Sequence, residues 1–394
     1  MSTPRKRLVI FESCIGRGGA RHSLLSWLEL LRDDGGFELK LLCGSEGWFT
    51  EQLKQRGFTY DVLPLPEALG AIRHGEWKNR GRTLLRMLGM TGGLLRAWWR
   101  VAFMRADGVL LTGGRDFIML FPLVLRLRRH TATVPQTTDW GRIPTCKLMC
   151  RLVAHTYAIS ESVADSITEM GIPRAKVKVL PLIFTNAIAA ALPDKAEARR
   201  RLGIAETDLV IALTGVLREQ KGQREAITIF ARVRQEVPHA RLLIIGAPFP
   251  GPSGTADYER ALHAQAKDLG VESAVNFLGW RDDVPAVLKA ADVLFVPSLD
   301  NEGVPRVILE GLERSLPIVA TNMVQFREIL GRHNAGILCD IKDLESWIAA
   351  TIALLKDDAR REAAARHARA VWEAHYSREA ARPLLLQAFR AICR

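Results

Sequence analysis

The 394-residue sequence predicts an α/β protein of two Rossmann-like domains, and three observations carry that prediction. The chain is longer than one typical hydrophobic core sustains. Short apolar runs that read as buried strands alternate with amphipathic stretches of helical spacing along its whole length. Several of those runs end in glycine loops, at Gly16-Arg17-Gly18-Gly19-Ala20, Gly113-Gly114, Gly215 to Gly222 and Glu302-Gly303. Glycines at the C-terminal ends of parallel strands face the ligand crevice of an open α/β sheet.

Composition narrows the class. A hydrophobic content of 48% suits a globular protein, and no uninterrupted apolar run of about 18 residues predicts a membrane-spanning helix. The basic N-terminus leads only into Leu8 to Phe11, which reads as a first strand rather than a signal sequence. Cys14, Cys43, Cys146, Cys150, Cys339 and Cys393 lack a CxxC pair. Cys146 and Cys150 share a helix face and resemble half a metal site, but no His or Cys cluster accompanies them, so buried thiols in a reducing, cytoplasmic compartment are expected. The net charge of +12 is uneven. Residues 1–190 hold 27 Lys and Arg against 16 Asp and Glu, whereas residues 191–394 hold 28 against 27. The first half therefore carries the basic field, which suits a membrane surface, a nucleic acid or an anionic substrate.

In chain order, Leu8 to Phe11, the glycine loop and the helix His22 to Leu31 start a Rossmann-type unit. The glycines do not form G-x-G-x-x-G, and no acid ends the next strand, Leu39 to Cys43, so dinucleotide binding is weakly supported and a plain βα turn is an alternative. A helix is expected at Glu46 to Arg56, and an edge piece at Leu63 to Pro66. Arg73 to Arg105 then carries eight Lys and Arg against the single acid Glu76, interleaved with Trp77, Trp98, Trp99 and Phe103. That pattern suits an interfacial helix on an anionic leaflet, and equally a solvated helix whose aromatics pack inward. RNA could use the same side chains, but no RNA-binding module accompanies them. Gly108 to Thr112 is the next strand. Thr131 to Pro135 leads to Thr138-Asp139, Ser160 caps a helix, and Val177 to Leu182 closes the first domain, with a linker at Ile183 to Leu192.

The second domain is expected to open with helix Ala196 to Leu202 and strand Leu209 to Gly215. Arg218 and Lys221 follow on a loop that enters helix Gln223 to Val237 at Gly222. Two cations on a loop after a strand make a diphosphate clamp. Arg241 to Gly246 and Val275 to Gly279 are further strands, and Asp292 to Pro297 is another. Next comes a turn at Glu302-Gly303-Val304-Pro305, helix Arg306 to Arg314 and strand Ile318 to Thr321, completing a βαβ unit. A helix N-terminus with unpaired N–H groups favours anions, and Pro305 supplies no N–H. Glu302 and Glu310 lie roughly 12 Å apart by helical rise. They suit sugar and ribose hydroxyls, or are merely a cap and a surface helix residue. Helices at Asp343 to Lys356, Ala359 to His375 and Arg378 to Arg394 end the chain.

Glu302-Gly303-x-Pro305 followed by Glu310-Gly311 resembles the E-x7-E motif of the retaining group 1 glycosyltransferases, family 4. The loop from Gly215 to Gly222 resembles that family's Gly-Arg-x-x-x-x-Lys-Gly, with Arg218 only three residues before Lys221. Of the family's Gly-Gly-x-Pro-Glu run, only Glu328 matches here, and Thr138 stands where the family often has His before Asp139.

The resemblance implies a GT-B fold: an acceptor-binding domain over residues 1–187, a nucleotide-sugar domain over 188–375, facing across a cleft, and a last helix (376–394) crossing back to the first. It implies retaining transfer of a hexosyl-type sugar from a UDP- or GDP-sugar to an acceptor hydroxyl, in polysaccharide, lipopolysaccharide or glycolipid synthesis. The implied catalytic residues are Glu302, Arg218, Lys221 and Asp139. The implied donor-binding residues are Gly18, Gly19, Gly279, Gly303, Val304 and Glu310, with Trp280 and Arg281 beside the base. With cations already on the diphosphate and no Asp-x-Asp in place, no essential divalent metal is expected. Partners are expected to be the nucleotide-sugar and a lipid-linked or saccharide acceptor, with a peripheral place on the inner face of the plasma membrane. Alternatives are another GT-B enzyme, such as a sugar phosphorylase or nucleotide-sugar epimerase, and a non-catalytic basic membrane or nucleic-acid adaptor.

Overall fold

The computed structural model describes residues 4–13, 19–64, 92–135, 143–180, 192–248, 255–300 and 306–393. The chain divides into two compact units, one of Met1–Thr185 with Ala381–Arg394 and one of Asn186–Ala380.

The first unit is a seven-stranded sheet of β1 (Lys6–Glu12), β2 (Phe37–Cys43), β3 (Tyr60–Val62), β4 (Gly108–Leu111), β5 (Thr131–Thr133), β6 (His155–Ala158) and β7 (Val177–Val179). Their order is β3-β2-β1-β4-β5-β6-β7, and every pairing is parallel. Leu8 is in register with Leu39 on one side and Gly108 on the other. Strands covered on both faces become continuous apolar runs. Accordingly Leu8, Val9, Ile10 and Phe11 are all buried, as are Val109, Leu110 and Leu111. Helix Gly19–Asp34 follows β1. Ser160 caps helix Glu161–Glu169 by accepting from the Val163 N–H at 3.2 Å. Helices Gly114–Met119 and Phe121–Arg126, which the sequence reading did not include, follow β4. Each is only six residues long, too short for a helical period to declare itself.

Helix Arg378–Ile392 belongs to this unit through most of its length. Phe389 meets the Trp27 ring edge-on at 5.7 Å. The buried Tyr157 hydroxyl donates to the Ala388 carbonyl at 2.9 Å, and Arg390 pairs with Asp34.

The second unit is a six-stranded parallel sheet. Its strands are β8 (Leu209–Thr214), β9 (Ala240–Ile245), β10 (Val275–Phe277), β11 (Val293–Val296), β12 (Ile318–Thr321) and β13 (Ile337–Cys339). They run in the order β10-β9-β8-β11-β12-β13. Strand β13, also absent from the sequence reading, is three residues long and lies at the sheet edge. Just before β11, at the N-terminal edge, the carboxylate of Asp292 is buried with Arg199 at 2.7 Å and Lys195 at 2.5 Å. It also accepts the Val210 N–H at 2.7 Å. A buried carboxylate is tolerated only when paired and hydrogen-bonded in this way. This cluster fixes helix Lys195–Arg201 to the sheet from the edge opposite the glycine loops.

Cys43 is buried, and Cys146, Cys150 and Cys339 are buried free thiols. Burial pushes the Cys146 thiol up to about 12 and the Cys150 thiol up to about 11, so both favour the protonated form. Among the described residues no helix is long and apolar enough to cross a membrane, and no group of three or more metal-ligating side chains gathers.

Candidate active site

In the second unit the strand order reverses between β8 and β11, and the loops leaving the C-terminal ends of β8 to β11 interlock there. The Leu217 N–H donates to the Ala247 carbonyl at 3.1 Å, tying the loop after β8 to the loop after β9. The Gly246 N–H donates to the Gly279 carbonyl at 2.9 Å, tying that loop to the one after β10. The Leu299 N–H donates to the Gln220 carbonyl at 2.9 Å, closing the rim across the switch between β8 and β11. Open α/β sheets bind ligands outside the strand C-termini at this kind of switch point.

The glycines make the rim possible. Gly222 has a φ of 69°, and a Cβ there would fall 1.9 Å from the Pro297 carbonyl oxygen. Gly246 is equally constrained, since its Cβ would fall 1.9 Å from the Gly215 carbonyl oxygen. Gly222 is also the residue from which helix Gln223–Glu236 starts, so the helix N-terminus stands at the switch point. Gln223, fully buried, donates to the Val216 carbonyl at 3.0 Å and accepts from the Tyr258 hydroxyl at 3.3 Å. These bonds brace the loop from beneath. The sequence reading passed over Gln223; an uncharged amide directly after Lys-Gly at a helix start was its available signal.

Two cations stand on this loop. The aliphatic stem of Lys221 lies along the backbone of Gly215, 3.5 Å from where a Cβ would be, so the stem is packed. Arg218 is exposed, and its guanidinium makes no hydrogen bond or ion pair among the described residues. A fork-shaped donor held on a braced loop beside a helix N-terminus suits phosphate oxygens.

Glu310 lies on helix Arg306–Glu313 after β11 and is buried. Its Oε1 accepts from Arg306 at 2.8 Å, one helical turn back. Its Oε2 accepts nothing among the described residues, which leaves that oxygen for a hydroxyl donor. Gly311 lets this helix approach the sheet, because a Cβ there would lie 2.5 Å from Leu294 Cδ2. Gly279 has a φ of 64° and joins the rim as described. Arg281, expected near the base, engages the Asp283 carboxylate with two bonds of 2.7 Å. That pairing occupies its fork, whereas Trp280 is half exposed beside it. Gly19 is the first residue of its helix. Gly18, Asp139, Glu302, Gly303 and Val304 lie outside the described residues.

The first unit has a comparable rim where its order reverses between β1 and β4. Glu12 ends β1 with its carboxylate nearly buried, and Arg21 donates to it at 3.0 Å. The Thr112 hydroxyl lies 2.7 Å from Asp116 Oδ2 and 3.3 Å from Glu12 Oε2. The Thr112 N–H also donates to Asp116 at 2.9 Å. Burial first, and repulsion from Glu12 second, hold the Asp116 carboxyl well above the usual carboxylate range. Asp116 therefore holds its proton more tightly than an ordinary carboxyl, beside a Glu12 that is paired with Arg21. The sequence reading gave neither residue a role. The signals were an acid closing the apolar run of β1 and an acid two residues after Gly113-Gly114.

Residues 194–371 match the model of the glycosyl transferases group 1 family. Over those residues the chain is similar to the group 1 glycosyltransferases, and its two parallel-sheet units match the GT-B architecture. This GT-B protein is 33% identical over 200 residues to a D-inositol 3-phosphate glycosyltransferase of Corynebacterium urealyticum, covering 50% of this chain and 46% of that protein. It is 25% identical over 221 residues to the UDP-Gal:alpha-D-GlcNAc-diphosphoundecaprenol alpha-1,3-galactosyltransferase of Escherichia coli, covering 55% and 54%. The GT-B chain thus spans about half the length of the curated relatives it matches. Its fold is similar throughout to Anabaena Alr3699/HepE, solved with UDP and glucose. There the TM-score is 0.78 at 19% identity, over 98% of this chain and 100% of that one. It is also similar to WaaG, a glycosyltransferase involved in lipopolysaccharide biosynthesis, with a TM-score of 0.67 at 16% identity over 98% and 99%.

Proposed function

We propose that this protein transfers a sugar from a nucleotide-sugar to an acceptor hydroxyl, with retention at the anomeric carbon. The observation that carries the reading is the Arg218–Lys221 loop. It is a braced pair of cations at the switch point of the second sheet, beside a helix N-terminus and one turn of chain from Gly222. In the proposed step the bond from the anomeric carbon to the diphosphate oxygen breaks, and the acceptor oxygen bonds to that carbon on the same face. The acceptor's proton ends on the departing diphosphate. Arg218 and Lys221 offset the negative charge that develops on the leaving oxygen, where preorganised donors lower a barrier most. Glu310 takes the ribose hydroxyls through Oε2, with Arg306 orienting the carboxylate. Glu302, with backbone N–H groups near Gly303 and Val304, binds the donor sugar. Gly18, Gly19 and Asp139 are assigned to the donor or acceptor, and Gly279 to the base.

The donor is a UDP- or GDP-sugar, and no divalent metal is required. A lipid-linked or saccharide acceptor of a surface glycan is supported by the names of the relatives, which include a diphosphoundecaprenol-directed galactosyltransferase and a lipopolysaccharide enzyme. The enzyme would then work in the cytoplasm, peripherally at the inner face of the plasma membrane.

Ligand binding to the folded state raises the melting temperature by linkage. A thermal-shift panel of UDP, GDP, ADP and their sugars should give a response to one base, and that response should vanish in Lys221→Ala. A wild type that responds to none of them would refute the donor site. Products formed with the responding donor and an acceptor mixture then separate transfer from phosphorolysis or epimerisation.

A further inference from the structure

The helix at 92–102 has one face fixed in the first unit and another left in solvent. Ala97 and Val101 are buried, and Leu94 packs on the same core. The Trp98 indole N–H donates to the Ile118 carbonyl at 2.8 Å, and its ring lies 5.9 Å from that of Phe121. Arg126 donates to the carbonyls of Ala102 and Met104 and so ties down the end of the helix. The rotation of the helix is therefore set, and its outward stripe is determined by the sequence.

That stripe is apolar. Leu95, Trp99 and Phe103 recur every fourth residue and are 61%, 73% and 71% exposed. The last two rings meet edge-on at 5.5 Å, forming a continuous aromatic ridge. A helix docked on one side normally places polar residues on the other, and a contiguous exposed apolar strip marks an interaction surface. Arg96 and Arg100 each follow a ridge residue by one position, Arg105 lies just past the helix end, and all three are exposed with no ion pair among the described residues. No acid occurs between residues 92 and 106.

We infer that this face docks on an anionic lipid bilayer, the helix lying in the headgroup plane. Trp99, Phe103 and Leu95 would enter the acyl boundary, and the three arginines would reach back to phosphates along their aliphatic stems. Indole rings favour this boundary, and a single-sign charge belt favours anionic lipid. The inference gives a surface to the membrane-side location proposed above and rests on that part of the reading. It uses no residue of the donor site.

The test is co-sedimentation of the full chain with vesicles of phosphatidylcholine alone or mixed with phosphatidylglycerol. The wild type should bind the mixed vesicles and release in high salt. Trp99→Ala combined with Phe103→Ala should weaken binding about tenfold or more. Arg96→Glu combined with Arg100→Glu should abolish the preference for anionic lipid. All four side chains are exposed, so melting temperatures should match the wild type, which excludes misfolding as the cause. Absence of wild-type binding, or binding retained in both variants, overturns the inference. So does a face that serves another partner: a dimer in sedimentation velocity, or a complex with a poly(U) RNA, that the same substitutions remove while vesicles are ignored. Nucleotide-sugar thermal shifts on the same samples keep the two readings apart. Vesicle failure with an intact donor response sinks only this inference, and the reverse sinks only the donor site.

Discussion

At the scale of single residues, Gly222 and Arg218 separate building the site from using it. An Ala at position 222 would have to adopt a left-handed conformation and push against the Pro297 carbonyl. The conformation alone costs roughly 1–2 kcal/mol, and a close-packed interior cannot absorb the collision. Gly222→Ala should therefore lower the melting temperature and lose the nucleotide response together. Arg218→Ala removes an exposed guanidinium with no ion pair among the described residues, so it should keep the melting temperature and lose only the response. Differential scanning with and without nucleotide distinguishes the two, and equal loss of stability in both variants would contradict the assignment. Asp116 makes a prediction about pH. Its folded-state pKa is raised, mainly by burial. Below the ordinary carboxylate pKa, ~3.9, both folded and unfolded chains hold the proton. As pH rises from there toward the folded value, the unfolded chain releases its proton and the folded one does not, so stability falls. Asp116→Asn keeps an acceptor for Thr112 and removes that dependence. Melting temperatures from about pH 4 to 8, a range that starts at the ~3.9 reference, should show the variant gaining on the wild type as pH rises. A constant gap would mean that Asp116 is ionised in the fold.

At the scale of elements, helix Arg306–Glu313 joins sheet packing to the ribose contact proposed for Glu310. Gly311 seats it on Leu294 and Ile318, and Glu310 is the adjacent residue. Gly311→Val should lift the helix from the sheet, lower the melting temperature and weaken nucleotide binding in step. Glu310→Gln leaves packing unchanged but exchanges a charged acceptor for a neutral one, a difference of about tenfold in affinity. Titration calorimetry should show that loss for a ribonucleotide and a much smaller one for its 2′-deoxy form; equal losses would remove the ribose role. Elements of this kind were legible in the sequence because length and period were both present. The strand Ile318–Thr321 has the bounds the sequence suggests, and helix Gln223–Glu236 differs by one residue. Helices of six residues and the three-residue β13 were not legible, since neither shows a full period. The Arg218–Lys221 loop was legible as a turn before a helix because its cations and glycine are adjacent in the chain. The Glu12–Thr112–Asp116 cluster could not, because parallel pairing joins residues a hundred positions apart, and only the sheet order brings β1 beside β4. The Arg281–Asp283 pairing was equally hidden: two neighbouring exposed charges do not reveal that they satisfy each other.

At the scale of the molecule, the chain leaves its first unit near Thr185 and returns to it at Ala381. The returning helix completes that unit's core, with Leu385, Phe389 and Ile392 fully buried. Gly108 in β4 lies against Ile392 and Cys393, so the helix touches the centre of the sheet and not only its rim. A core whose last layer arrives some two hundred residues after the rest pays a late closure of long-range contacts. It follows that the first unit cannot be cut out at its linker without losing part of its hydrophobic interior. Phe389→Ala opens a cavity beside Trp27 and should cost about 3–5 kcal/mol. The loss should fall on one unit alone. Amide hydrogen exchange should quicken in β1 to β7 while β8 to β13 keep wild-type protection, and the nucleotide response proposed for Arg218 and Lys221 should persist at temperatures where the first unit has melted. Uniform loss of protection across both sheets would instead mean that the two units unfold as one cooperative body, and that the donor loop owes its order to the whole chain.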